Sequence, residues 1–176
     1  DCNDHLPRPL PRGDLLVHCG DFSNTGSDAE FSRFDYWLSQ AAAGGFGDRI
    51  FCVAGNHDGP RKRHGSTRAN FLPNGNLLEA QLAKQRLCPR GLRLYGISWA
   101  GNCKALPEEP PVDVLLTHGP PYGILDANVG GHPSGDLSLN ELLNRSVPPR
   151  LHLFGHIHEA YGARLCHFER SEKLGQ

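Results

Sequence analysis

Residues 50–58 read IFCVAGNHD: five apolar residues stop at a glycine and run straight into an amide, an imidazole and a carboxylate. A run this short, partly β-branched or aromatic and bounded by Gly, fits a buried strand better than a helix piece. The pattern recurs three times. Residues 14–19 (DLLVHC) lead into Gly20-Asp21, residues 112–117 (VDVLLT) into His118-Gly119-Pro120-Pro121, and residues 151–154 (LHLF) into Gly155-His156-Ile157-His158. A fifth run, 92–97 (LRLYGI), completes the set of strands. Helical patterns lie between them. Ser27 and Glu30 make a capping box ahead of Phe31, Phe34, Trp37 and Leu38 at helical spacing. Ser138 and Glu141 make a second box opening 139–144, and residues 76–85 (NLLEAQLAKQ) read as a third helix. Strands alternating with helices give an α/β fold.

The 176 residues suit one domain, 1–176, and the 38% apolar content is enough for a packed core. Lysine plus arginine number 18 against 19 acidic residues, so no basic footprint for nucleic acid exists. No apolar run is long enough to span a membrane and no signal peptide opens the chain, which gives a cytoplasmic expectation. The six cysteines lie far apart with no C-x-x-C pair, against a zinc ribbon and in favour of a reducing compartment. The chain begins at Asp1 and contains no methionine, as expected of a fragment or processed form.

In α/β folds, polar groups just past the carboxyl ends of strands line the active crevice. Asp21, Asn56, His118, His156 and His158 occupy such positions, and together they are mixed oxygen and nitrogen ligands suited to Mn, Fe or Zn. His156 and His158 are two apart and project to one side of an extended backbone. Each motif alone is an ordinary turn; all four together, each following a strand, point to a metal crevice.

These segments resemble the calcineurin-like metallophosphoesterases, and in particular the small metallophosphoesterase-domain branch, some members of which act on cyclic nucleotide or other phosphodiesters. The family order is D-x-H, G-D, G-N-H-D/E, a lone His, then G-H-x-H. Gly20-Asp21, Gly55-Asn56-His57-Asp58, His118 and Gly155-His156-Ile157-His158 match the last four, over roughly residues 6–162. The resemblance implies a two-sheet sandwich flanked by helices and two divalent ions. Asp21 would bridge the ions; Asn56, His118 and His156 would complete one site, and His158 would belong to the other. His57 would contact the phosphate and protonate the leaving oxygen, with Asp58 orienting it. A metal-bridging hydroxide would attack phosphorus in a small phosphomonoester or phosphodiester.

The chain also departs from the family. Asp1-Cys2-Asn3 has the D-x spacing with Asn in place of His, Asp4-His5 are adjacent, and the tail 165–176 diverges from the family's closing apolar strand. The first and last strands are therefore expected to be absent and one metal site incomplete. The alternative to an enzyme is a catalytically inactive fragment, or a metal-poor binding or scaffold module of the same fold.

Other features carry less chemistry. Gly96-Ile97-Ser98-Trp99-Ala100 mimics a nucleophile elbow, but the Gly- and Pro-rich residues after it cannot supply the helix such an elbow needs. Trp99 is open to two readings, stacking on a substrate group or lying in an exposed aromatic loop. His18 and His152 read as satisfied core histidines, and His5, His64, His132 and His167 as solvated. The basic run 61–64 either attracts an anionic substrate or is a solvated loop.

Overall fold

The computed structural model describes residues 2, 5–7, 9–59, 72–79, 81–82, 88–99, 106–107, 110–145 and 147–167. Two sheets face each other. The first has the order β1 (Leu16–His18), β2 (Ile50–Cys52), β3 (Asn76–Leu77), all parallel. The second has the order β4 (Gln81–Leu82), β5 (Leu94–Ile97), β6 (Val114–Thr117), β7 (Leu151–Leu153), parallel except for the β4–β5 pair. Every strand expected from the apolar runs is present, shortened at its ends.

The period-two alternation of these strands divides the core into three layers. Ile50, Cys52 and Ala54 face helix α1 (Asp28–Ala41), packing with Phe31, Phe34, Trp37 and Leu38. Phe51 and Val53 point the other way, toward Leu94, Val114 and Leu116 of the second sheet. Tyr95, Ile97 and Leu115 pack beneath helix α2 (Leu137–Arg145) against Leu139, Leu142 and Leu143. The result is a helix, two sheets and a helix, the expected sandwich. Gly96 lets the two sheets pack closely: an added Cβ there would lie 2.4 Å from the Cβ of Leu78 and 3.0 Å from Val53 Cγ1. Among the described residues, no helix is long and apolar enough to cross a membrane.

The helix expected over 76–85 does not form where the chain is described; strands β3 and β4 stand there instead. Leu77 packs into the layer under α1 and Leu78 into the layer between the sheets. Adjacent residues on opposite faces are what a strand produces and a helix cannot. Asn76 locks the edge through its side-chain amide, which donates to the carbonyls of Asp48 and Ile50.

The capping box of Ser27 and Glu30 forms as expected, with the Glu30 carboxylate accepting from the Ser27 backbone N–H and hydroxyl. The second box does not: α2 begins two residues earlier, where Asp136 Oδ1 accepts from the N–H groups of Ser138 and Leu139. An aspartate satisfies the free amides of a first turn as well as serine does. Residues 61–68, expected as a loop, lie outside the described residues, as do 101–105 and 108–109 of a second loop expected over 101–111, and Asp1, Asn3, Asp4 and 168–176 of the tail.

Candidate metal centre

Strands β1, β2, β6 and β7 end at one edge of the sandwich, and the four glycine-flanked motifs follow them there. The turn after β1 holds Asp21 with φ 52°, and the turn after β7 holds His156 with φ 72°. Both lie in the left-handed region that L-residues enter at a cost. A carboxylate oxygen of Asp21 and imidazole nitrogens of His118 and His156 lie within 4.8 Å of one another. Asn56 joins them, with its Oδ1 2.9 Å from His118 Nε2.

Close backbone contact makes the convergence possible. Gly55 passes so near Asp21 that a Cβ would lie 2.1 Å from Asp21 Oδ1 and 2.4 Å from Asp21 N. Asp58, fully buried, bridges the two turns: its carboxylate accepts from Gly55 N at 2.8 Å, from Ser23 N at 2.9 Å and from the Ser23 hydroxyl at 2.6 Å, with Phe22 N at 3.4 Å. Burial first, and then repulsion from Asp21, raises its pKa despite these donors.

The protonation pattern of His118 determines what the cluster can bind. Its Nδ1 lies 2.7 Å from the Cys19 carbonyl, which can only accept, so Nδ1 carries the proton. In the neutral ring Nε2 is then a lone pair, and it faces Asn56 Oδ1 at 2.9 Å and Asp21 Oδ2 at 3.3 Å. Electron-rich atoms converging in this way fit a cation. The set of two imidazoles, a carboxylate and an amide oxygen suits a divalent transition ion. Burial would raise the Asp21 carboxyl, but the His118 ring in its doubly protonated form, with a donor on Nε2, and the His57 N–H hold it below its ordinary value. Burial, and then the His118 ring, lower His156, leaving it in the neutral form a ligand needs.

His57 and His158 stand apart from this group. His57 is exposed, and its Nδ1 lies 2.7 Å from the Asn24 carbonyl, which fixes the proton there and turns Nε2 outward. The orienting contact therefore comes from Asn24, whereas Asp58 spends its hydrogen bonds on the two turns. His158 is exposed and begins a short 3₁₀ turn, His158–Ala160. It lines a hollow of about 410 Å³ with Leu125, Phe154, Ile157 and Tyr161. Cys2 lies beside the centre, its N–H donating to the Asp21 carbonyl at 3.0 Å.

Reasoning from sequence missed Ser23, Asn24 and the packing role of Trp99. Asn24 acts through its backbone, which no side-chain motif reveals. Trp99 follows β5, its ring centroid 4.8 Å from that of His156 and 5.5 Å from that of His118. His18 and His152 are core histidines as expected: His18 packs on Phe22 and Phe34, and His152 meets the Thr117 hydroxyl at 2.8 Å. Burial lowers their pKa values to about 3 and about 4.

Comparison with known proteins places the chain in a family. The profile described as calcineurin-like phosphoesterase matches residues 2–160. Metallophosphoesterase domain-containing protein 1 of Homo sapiens is 30% identical over 191 residues, covering 89% of this chain and 57% of that protein. A UPF0046 protein of Caenorhabditis elegans is 29% identical over 184 residues, covering 87% of this chain and 63% of its own length. A segment of a probable rhamnogalacturonate lyase C of Emericella nidulans is 29% identical over 181 residues, covering 90% of this chain but 16% of that protein. The chain thus spans less than two thirds of these relatives.

Proposed function

The chain belongs to the calcineurin-like phosphoesterase family, and from that premise we propose that it is a hydrolase of a small phosphomonoester or phosphodiester, cyclic nucleotides being one candidate class. The observation that carries this reading is the convergence of the His118 Nε2 lone pair on Asn56 Oδ1 and Asp21 Oδ2, with His156 alongside. These four residues would hold one ion. His158, with a share of Asp21, is left for a second. When bound, such ions activate water and neutralise charge on the phosphoryl oxygens.

The chain's own groups supply the rest. His57, with Nδ1 tied to Asn24, presents Nε2 to protonate the leaving oxygen. Asp58 keeps the Asp21 and Asn56 turns in register by accepting from both. The hollow beside His158 offers room for the ester's organic part.

The test combines metal analysis with hydrolysis of a chromogenic diester and monoester. The expected result is close to one tightly held ion per chain, sharply weakened by His156→Ala, and hydrolysis that depends on added divalent metal. Metal binding without hydrolysis of either ester under any metal would favour the scaffold reading. Failure of the wild-type chain to bind metal would overturn the site itself.

A further inference from the structure

We propose that Trp99 is a positioning residue for the imidazoles of the metal centre: its indole sets the ring plane of His156, and with it the affinity for a divalent ion, without touching the ion. This rests on the ligand set above.

Trp99 is clamped at its base. Its N–H donates to the Ala54 carbonyl at 2.7 Å, immediately before Gly55-Asn56. The neighbouring Ser98 hydroxyl accepts from Ala54 N and donates to the Leu78 carbonyl, both at 2.8 Å. The backbone that carries the indole is thus fixed to the same strand end that presents Asn56. From there it forms a triangle with both ligand rings. It lies 4.8 Å from His156 at an interplanar angle of 40°, and 5.5 Å from His118 at 83°, while the two imidazoles are 4.9 Å apart at 61°. All three separations fall in the range of favourable ring contacts.

Ring orientation decides whether a residue such as His156 can ligate. A coordinating imidazole must aim one lone pair at the ion, and rotation of the ring carries that lone pair away. His118 has its plane set by the bond from Nδ1 to Cys19. His156 sits on a left-handed backbone, φ 72°, so its main chain is itself held in a disfavoured state. Gly119 lies in the angle between the two rings: a Cβ there would stand 3.4 Å from Trp99 Cζ3 and 4.0 Å from His156 Cδ2. The indole, the glycine and the imidazole therefore pack against one another at the edge of the centre.

Among the described residues Trp99 belongs to none of the three core layers, and it is 43% exposed, in contrast to Trp37, at 3%. Removing it leaves those layers intact, so metal affinity and fold stability can be read separately. Residues that orient metal ligands from outside typically contribute about 10–100-fold to affinity.

The experiment titrates Mn²⁺ and Zn²⁺ into the wild-type chain and into Trp99→Ala, Trp99→Leu and Trp99→Phe, and records the metal-free melting temperature and the visible spectrum of the Co²⁺ form. Alanine and leucine should each lower affinity about tenfold or more, with metal-free melting within about 3 °C of wild type and an altered Co²⁺ band. Phenylalanine, which keeps a flat wall, should recover most of the loss. Equal affinity in wild type and Trp99→Ala would overturn the proposal, as would rescue by leucine equal to that by phenylalanine. A wild-type chain that binds no ion would overturn the ligand set and the proposal together, so the two failures are distinguishable.

Discussion

Replacing Gly55 with alanine would put a methyl group 2.1 Å from Asp21 Oδ1, 2.4 Å from Asp21 N and 2.7 Å from Asp21 Cγ. The backbone of Gly55 has no left-handed φ, so the conflict is steric alone. Ordinary contact would require the two turns to part by roughly 1 Å. That movement stretches the bonds that cross between the turns, from Ser23 N to Asp58 at 2.9 Å and from His57 N to Asp21 at 2.8 Å, beyond good hydrogen-bond length. Overpacking costs about 1–3 kcal/mol, and weakening bonds to two carboxylates adds to it. A total of about 3–5 kcal/mol follows, or a fall of about 10 °C in melting temperature for a chain of this size. Metal affinity should fall with it, because Asp21 and Asn56 move apart. Gly44→Ala is the control: a Cβ there meets nothing within 4 Å, and stability should hold or rise slightly. Urea unfolding and metal titration of both variants decide the matter. A Gly55→Ala protein with wild-type stability and affinity would refute the close-contact argument.

Asp21→Asn keeps the size and loses the charge; it should fold, hold well under the one tight ion of the wild-type chain and lose nearly all hydrolysis, measured as melting temperature, metal content and diesterase rate on one preparation. His57→Ala should keep its metal and slow turnover by about 10²–10⁴-fold, less so for esters with good leaving groups; loss of metal would mean that His57 is a ligand. Burial holds His152 at about 4 against 6.5. Between those values the unfolded chain binds the extra proton, so this stabilisation is complete above pH 6.5 and is lost as pH falls toward 4. Unfolding measured at pH 7 and pH 5 should differ by about 2 kcal/mol on this account, and His152→Gln should shrink the difference.

The strands that carry the site were legible because each is a short apolar run with a glycine after it. The chemistry at their ends was legible because Asp21, Asn56, His118 and His156 are ligand types. Segment 76–85 misled because its leucines also fit a helical stripe; what decided it was a core on both sides of the backbone, a property of the assembled sheets. The Asp136 cap displaced the Ser138 box because two competent capping residues stand within one turn. The partner of His57 could not be read at all, since Asn24 uses its carbonyl. Nor could the reach of Asp58 across 35 residues to Ser23, which exists only once β1 and β2 lie side by side.

Asp21 and His156 both stand where a glycine would be more comfortable, at about 1–3 kcal/mol each. A sequence optimised only for the endurance of this backbone would place glycine at both and lose the centre. Stabilisation of this protein by substitution therefore has a forbidden direction: gains sought at the strand ends would come from erasing its chemistry. Safe gains lie elsewhere, at surfaces such as Gly44, where an added methyl group meets only solvent.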